Sequence, residues 1–349
     1  MSTVKTALVI GAGPAGMEAA VKIGGAGYRV ILADRADSLG GTLRQLCSSF
    51  PRWEDPADLI AYKTEQINKC PLITIKTKTT VVAAEKNGNG YLVTLGSDGL
   101  TSEIQADAVI IATGFELFDA SVYGEYGYGS FDNVVNSLEF EALLKEWQEN
   151  QGKTASPGTV AFFKCVGSRD RAKGLPYCSR ICCMYTAKQA GLVKELFPDS
   201  KCYVFYMDYR AAGREYEEFV RSVIEQRHVR YVRGRPAKVL PEDGRLLIRA
   251  EDTLMGMPVE IAADMVVLAA AIVPGPGTRQ IARLFQIKSD EYGFIDYNRN
   301  EPAKAGDRVF FAGACGFAVE TLGAIQQGAA AAAEVIALFN QPNGEEKNA

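Results

Sequence analysis

Short, unbroken apolar runs alternate along this chain with longer segments whose apolar residues recur every three or four positions. Val4 to Ile10 is the first run, and its continuity predicts a strand covered on both faces, as in a parallel sheet. Met17 to Gly27 follows with helical spacing, and Arg29 to Ala33 is a second strand. Pro56 to Lys69 reads as a helix. Thr74 to Leu95 reads as a hairpin turning at Asn87-Gly88-Asn89-Gly90, residues that tolerate the positive backbone angles of a tight turn. Ala106 to Ala112 is another buried strand. The rhythm then returns with helix Leu138 to Gln148, strand Thr159 to Phe163, strand Cys202 to Met207, helix Arg214 to Gln226 and strand Val229 to Arg233. A hairpin of Arg245 to Ala250 with Val259 to Ile261 precedes a buried strand, Met265 to Ala271. Asp307 to Gly313 contains a last strand, and Thr321 to Phe339 is a long alanine-rich helix. Strands and helices in alternation predict an α/β chain.

With 349 residues the chain can bury two cores. The expected division is a discontinuous domain of residues 1–118 and 277–349, a linker with a helix over 119–155, and a second domain over 156–276. Net charge is −4 with acid and base interspersed, so the electrostatic footprint of nucleic-acid binding is missing. No run of eighteen apolar residues is present, and membrane insertion is not expected. The N-terminus passes straight into a strand without the pattern of a signal peptide. The expected location is the cytoplasm, where thiols stay reduced. That turns the reading of the eight cysteines away from disulfides and toward metal or redox chemistry.

Gly11-Ala12-Gly13-Pro14-Ala15-Gly16 stands between the first strand and the first helix. Gly11 permits the tight turn, Gly13 lets backbone approach a pyrophosphate, and Gly16 lets helix and strand pack closely. The helix start, with Pro14 and Ala15, offers unpaired N–H groups to phosphate. Asp34 ends the second strand, about twenty residues on, placed to accept from ribose hydroxyls, with Arg35 beside it. Two later features favour FAD over NAD. Leu39-Gly40-Gly41-Thr42 brings bare backbone to a second place. Ala112-Thr113-Gly114 closes a strand in a way that resembles the second FAD fingerprint of flavoproteins with two dinucleotide folds. In such flavoproteins the residue at Val81 lends its backbone to the adenine. Gly313 and Ala314 resemble the third FAD motif, and the helix start at Thr321 and Leu322 would stabilise negative charge on reduced flavin.

In the second half no dinucleotide fingerprint recurs. Where one would fall, the strand runs into Lys164-Cys165-Val-Gly167-Ser168-Arg169, and Cys165, Cys178, Cys182 and Cys183 lie within nineteen residues. Cys178 and Cys182 share a face if their segment is helical; Cys183 lies about 100° further round, so the helix start must be irregular or the cysteines must sit at its end. No CxxC pair exists for a dithiol. Zinc accepts four cysteines, and so does an iron–sulfur cluster, which suits soft thiolates and has a use beside a flavin. Redox thiols, zinc and [4Fe–4S] all remain open on spacing alone. Cys47 is read as a small buried residue, Tyr123-Gly-Glu-Tyr-Gly-Tyr-Gly129 as a packed loop, and His228, the only histidine, as uninvolved in catalysis. Arg210, Arg214, Arg230, Arg233 and Arg235 read as a solvated basic face.

Taken together, these motifs resemble the A subunit of heterodisulfide reductase and its relatives. The resemblance runs over nearly the whole chain. It rests on Gly11 to Gly16, Ala112-Thr-Gly-Phe-Glu116, Glu125-Tyr-Gly-Tyr-Gly129, Cys165-Val-Gly-Ser-Arg, Tyr177-Cys-Ser-Arg-Ile-Cys-Cys-Met184, Asp208-Tyr-Arg210, Gly213-Arg-Glu-Tyr-Glu217 and Arg233-Gly-Arg235. It implies two Rossmann-type domains of the disulfide-reductase flavoprotein build, the second altered to hold a [4Fe–4S] cluster through Cys165, Cys178, Cys182 and Cys183. It also implies FAD, a homodimer, partner subunits of the heterodisulfide reductase B and C type, and electron transfer. The compact length, without ferredoxin repeats, is similar to the A-like subunit of the sulfur oxidisers' complex; the A subunit of quinone-interacting oxidoreductase is a close alternative. Ala314 departs from disulfide reductases, which carry an acid there. A stand-alone NAD(P)H-dependent disulfide oxidoreductase is the competing expectation.

Overall fold

The computed structural model describes residues 4–150 and 155–341. The chain divides into two compact units. One comprises Met1–Arg44, Ala57–Glu116 and Val273–Ala349; the other comprises Gln45–Pro56 and Leu117–Ile272. The described part of 119–155, expected as a linker, belongs to the second unit, as does the short excursion Gln45–Pro56.

The first unit is built on a six-stranded sheet. Its spatial order is Lys304–Gly306, Val309–Phe311, Ala108–Ile111, Thr6–Ile10, Arg29–Ala33, Ile73–Lys76. Neighbours are parallel except for the outermost pair, Lys304–Gly306 with Val309–Phe311. Successive residues of a strand face opposite sides, and both sides are covered here. Ala7, Val9 and Ile110 pack with Met17, Ile23, Ala331, Val335 and Phe339. Leu8, Val109 and Ile111 pack with Val93, Ile281 and Phe285 on the other side. That explains why these strands are apolar without alternation. Helices Pro14–Gly25 and Thr321–Asn340 share the first of these cores. Thr321–Asn340 is long and apolar enough to cross a membrane by length and composition, yet its alanines serve close packing. A side chain at Gly328 would collide with the Ala15 carbonyl.

The hairpin expected over Thr74 to Leu95 is revised. Ile73–Lys76 joins the large sheet beside Arg29–Ala33. The true hairpin is Thr80–Asn87 with Gly90–Ser97, extended by Leu100–Ala106 into a three-stranded antiparallel sheet. Asn87 pairs with Gly90 across the turn, and Gly88 carries φ +55°. The sequence pattern could not separate Ile73–Lys76 from the hairpin because only a short polar stretch divides them.

The second unit repeats this plan. Its parallel sheet has the order Arg230–Arg233, Lys201–Tyr206, Thr159–Val166, Met265–Ala270, Val134–Asn136. In chain order both units run strand, helix, strand, helix, strand, three-stranded meander, then a strand returning beside the first. The second meander is Lys238–Glu242, Arg245–Asp252 and Met257–Ala263. Its first strand escaped the sequence reading because Pro241 and Glu242 interrupt the apolar pattern. The repeats differ most at the first strand-to-helix turn. In the first unit, residues 11–13 separate Thr6–Ile10 from Pro14–Gly25; in the second, residues 167–181 separate Thr159–Val166 from Cys182–Leu196.

A buried ionic network ties the excursion to the rest of the second unit. Glu141, on helix Ser137–Glu149, accepts from Lys188 Nζ on helix Cys182–Leu196 at 2.7 and 2.8 Å. It also accepts from Gln189 Nε2 at 2.6 Å and from the Cys47 N–H and thiol at 3.0 Å each. Lys188 donates to the Ser48 carbonyl at 2.9 Å. Both charged side chains are 2% exposed. Removing one partner leaves the other charge buried and unanswered, which costs about 3–5 kcal/mol, whereas removing both is far cheaper. Lys188→Met is therefore expected to lower unfolding free energy by about 3–5 kcal/mol, and Glu141→Leu/Lys188→Met to recover most of it. Urea unfolding of the three proteins checks this; equal stability of the single and double variants would remove the pair as the anchor.

Candidate functional site

Two different arrangements stand at the carboxyl edges of the two parallel sheets. In the first unit it is a cradle of bare backbone. Gly11 has φ +108° and donates its N–H to the Ala33 carbonyl at 2.7 Å. A side chain there would collide with the Ala112 carbonyl, and one at Gly16 would collide with the Gly11 carbonyl. Gly13 is the opposite case: nothing lies within 4 Å of where its side chain would project. It caps helix Pro14–Gly25 without a side-chain hydrogen bond. Free N–H groups therefore face open space at the positive end of a helix, an arrangement that suits phosphate. Gly40 donates to the Ala12 carbonyl at 2.8 Å, and Gly41 lies against the Gly13 backbone. Thr42 follows in the 3-10 turn Gly41–Gln45. The second glycine pair thus closes on the first.

The remaining residues expected at this site fall into two groups. Ala112 donates its N–H to the Ile10 carbonyl, Thr113 shares a 2.7 Å hydrogen bond with Thr278, and Gly114 carries φ +74°. Gly313, φ +79°, lies 3.1 Å from the Ala15 side chain by its missing Cβ and donates to Gln327 at 2.8 Å. Ala314 is buried, and Thr321 begins a helix whose start has no side-chain cap. Val81 is buried at a register shift in its strand. Asp34 is busier than expected. Its two oxygens accept from the Ala12 and Ala36 N–H groups at 2.5 and 2.7 Å, so it braces the glycine turn; each oxygen keeps a lone pair for a ribose hydroxyl. Arg35 and Leu322 are exposed, and Arg35 pairs with Glu116 at 3.4 Å.

In the second unit the corresponding turn is the cysteine loop. The strand Thr159–Val166 loses register between Phe163 and Val166, a bulge with Cys165 at φ +62°. Adjacent residues of a regular strand face opposite sides; the bulge lets Lys164 and Cys165 serve one place. The loop then folds on itself. Leu175 donates to Gly167, Asp170 to Leu175 and Arg169 to Tyr177, at 2.8, 2.9 and 2.9 Å. A side chain at Gly174 would strike the Gly167 backbone. Asp170 accepts from Tyr123 Oη at 2.8 Å, from Arg235 at 3.2 Å and from the Ala172 N–H at 2.9 Å, and these bonds hold its carboxyl well below the usual range. Tyr123 stacks on Tyr126 at 5.6 Å, and Lys173 pairs with Glu125. The tyrosine–glycine segment is thus the loop's buttress. Arg169 binds Asp208 through both nitrogens at 2.7 and 2.9 Å. Of the expected basic face, Arg210, Arg214 and Arg235 are also ion-paired.

Three of the four cysteines meet. The Cys182 thiol hydrogen-bonds with both Cys165 and Cys183. Cys182 and Cys183 open helix Cys182–Leu196, which lacks a side-chain cap. Cys178 does not share a helical face with Cys182: Arg180, at φ +61°, breaks the helix first, and the Cys178 sulfur accepts from the Arg180 N–H at 3.3 Å. Ser179 anchors this stretch to Ser168 and to the Ile272 N–H. The protons are unevenly shared. Hydrogen bonding with Cys182 lowers both Cys165 and Cys183, with Lys164 assisting at both. Cys182, which has a single proton to share with these two neighbours and is fully buried, is pushed up. Among the described residues no group of three or more His, Cys, Asp or Glu side chains is placed to hold a metal ion. The donor chemistry fits a thiophilic centre, and two buried polar atoms beside Cys183, Lys164 Nζ and Tyr231 Oη, have no hydrogen-bond partner.

Sequence reasoning missed Glu141, Lys188 and Gln189, which sit on apolar helix faces with no motif to mark them. It read Cys47 as a small buried residue; its thiol is half-buried, and burial followed by the Glu141 charge pushes it up to about 12.

The sequence pattern of the family described as pyridine nucleotide-disulphide oxidoreductase matches residues 5–153. Thioredoxin reductase of T. acidophilum superposes with a TM-score of 0.67 at 18% identity, over 96% of this chain and 98% of that one. Fold and cradle define an α/β flavoprotein of the two-dinucleotide-fold oxidoreductase class. An iron-sulfur A subunit of CoB–CoM heterodisulfide reductase from Methanopyrus kandleri is 30% identical over 94% of this chain and 63% of its own length. The corresponding iron-sulfur protein of Methanocaldococcus jannaschii is 32% identical over 83% and 57%. The chain is thus similar, over most of its length, to A subunits of heterodisulfide reductase, and spans about three-fifths of the length of these relatives.

Thiolate formation gives a test that needs no cofactor. In metal-free reduced protein, thiolate absorbance is expected to begin rising well below the ordinary value of 9.0. Lowered folded values stabilise the fold most above pH 9 and progressively less as pH falls below it. Cys183→Ser should move the onset of this rise upward; an unchanged onset would place the early proton elsewhere.

Proposed function

We propose that the chain is an electron-transfer flavoprotein subunit that binds FAD in the first unit and a [4Fe–4S] cluster in the second. The observation that carries this reading is the replacement of the second unit's short phosphate-binding turn by a braced loop bearing soft thiol donors at an uncapped helix start. The name of the Methanopyrus relative, an iron-sulfur protein, supports it. Cys165, Cys182 and Cys183 would hold the cluster together with Cys178, the fourth thiol of the group. A cluster held this way supplies one-electron exchange, and the flavin supplies the link to two-electron chemistry. The chain's own part is to bind, orient and tune. Gly11, Gly13 and Gly16 bring backbone to the pyrophosphate, Asp34 holds that turn and meets the ribose, and the helix start at Thr321 favours negative charge on the flavin ring.

The relatives are A subunits, so partner subunits of the B and C type follow as part of the proposal, and so does a homodimer. Sulfur oxidation in the cytoplasm is the pathway this reading favours. Unaided turnover with NAD(P)H is the less favoured reading, because residues 167–181 fill the place of the turn that would bind a nicotinamide dinucleotide.

Anaerobically purified protein is expected to carry about four iron and four acid-labile sulfide. Serine at Cys165, Cys178, Cys182 or Cys183 should each lower both, while Cys47→Ser and Cys202→Ser should not. Zinc with no sulfide, or full iron in all four variants, would refute the assignment. Gly13→Val, whose side chain meets no protein atom but enters the phosphate's place, should weaken FAD binding at least about tenfold by the visible flavin spectrum and leave far-ultraviolet circular dichroism unchanged.

A further inference from the structure

Lys164 is 4% exposed, and its Nζ has no hydrogen-bond partner in the protein. A buried amine without a partner costs several kcal/mol unless something anionic answers it. Among the described residues, aromatic faces and thiols are gathered round it. Its Nζ lies over the rings of Tyr206 at 5.5 Å and Tyr231 at 5.8 Å. It acts on the thiols of Cys183 and Cys165, lowering both. Asp208, an acid that feels its charge, is already bound through both oxygens by Arg169. Tyr231 repeats the pattern: its hydroxyl is buried, lacks a partner, and lies where it feels the charge on Cys183. Two donors without hydrogen-bond partners, on strands Thr159–Val166 and Arg230–Arg233 of one sheet, therefore lie together, Lys164 Nζ 5.8 Å from the Tyr231 ring, and both interact with the charge on Cys183.

We infer that Lys164, seconded by Tyr231, is a positioning residue for the cluster, a fixed positive charge and a hydroxyl donor directed at its sulfur atoms on the Cys183 side, which set the ease with which it accepts an electron. This rests on the cluster reading above. A [4Fe–4S] group with four thiolates is a net anion, and it gains one more negative charge on reduction. A buried positive charge beside it favours the reduced form, and hydrogen bonds to its sulfurs act in the same direction. The bulge at Lys164 and Cys165 explains how neighbouring residues can supply both a ligand and its counter-charge.

The test is a redox titration of the purified holoprotein followed by paramagnetic resonance, on wild type, Lys164→Met, Lys164→Arg and Tyr231→Phe, with iron, sulfide and flavin measured in each. Lys164→Met is expected to lower the reduced-to-oxidised ratio at a fixed potential about tenfold, a midpoint about 59 mV more negative for one electron. Tyr231→Phe should move it less, in the same direction. Lys164→Arg should restore the wild-type value, which a merely packed side chain would not do. Methionine fills the same space without a charge, so the fold should survive; if its iron content falls, the Arg and Phe variants still decide. An unchanged midpoint in iron-replete Lys164→Met or Tyr231→Phe, or an arginine variant shifted as far as methionine, overturns this inference and leaves the cluster reading intact. Wild-type protein without iron overturns the cluster reading itself.

Discussion

A helix that begins where a parallel strand ends leaves unpaired N–H groups and a partial positive charge above the sheet edge. Both units of this chain put such a start in the same topological place, and neither supplies a side-chain cap. What distinguishes them is what each brings to it. The first brings nothing but backbone, since Gly11 and Gly16 have no room for a side chain and Gly13 faces open space. An extended anion such as a pyrophosphate suits that. The second brings sulfur, with Cys182 and Cys183 in the first turn and Cys165 arriving from the strand. The same partial charge that would attract phosphate there helps to hold thiolate. One device, repeated, carries bare backbone in the first unit and thiols in the second.

The buried lysines Lys188 and Lys164 of the second unit show how differently a charge can be used. Lys188 is matched by Glu141, by the Ser48 carbonyl and by a surrounding set of donors that complete the carboxylate. The consequence is mechanical: the excursion Gln45–Pro56 is secured, and the Cys47 thiol is locked in its protonated form. Lys164 is just as deeply placed and has no oxygen to answer it. Its neighbours are thiols instead, and its charge lowers both Cys183 and Cys165.

Much of this was legible in the sequence, for reasons that differ from element to element. The glycine turn was readable because steric exclusion leaves a local mark: only glycine fits where a carbonyl occupies the place a side chain would take. The buried strands were readable because coverage on both faces removes alternation. The cysteine group was readable as a cluster but not as a geometry. Helical periodicity put Cys178 beside Cys182, whereas Arg180 enters the left-handed region and Ser179 is tied to Ser168 and Ile272. Those ties run between residues 11 and 93 positions apart, and no local pattern encodes them. Glu141 and Lys188 were silent for the same reason, since each looks like one more helical charge until the partner 47 residues away is seen.

Residues 167–181, with little regular structure, carry Cys178 and join Cys165 to Cys182 and Cys183, so their order must be accounted for. Ordering each residue costs about 1–2 kcal/mol of backbone entropy, and Cys165, Arg169 and Arg180 all adopt left-handed backbone angles that side chains disfavour. The offset comes from a scaffold outside the loop. Asp170 gathers Tyr123, Arg235 and two backbone N–H groups; Arg169 is clamped to Asp208; Tyr177 donates to the Ile272 carbonyl at 2.8 Å. These partners come from the tyrosine–glycine segment, from the neighbouring strand ends and from the return of the sheet. The glycines of that segment admit aromatic rings where side chains would collide, as at Gly127 against Phe131. The sequence features that surround the cysteines are thus the supports that make their arrangement possible, and the strained residues lie where the chain changes direction, at Cys165 and Arg169 after the strand and at Arg180 before the helix.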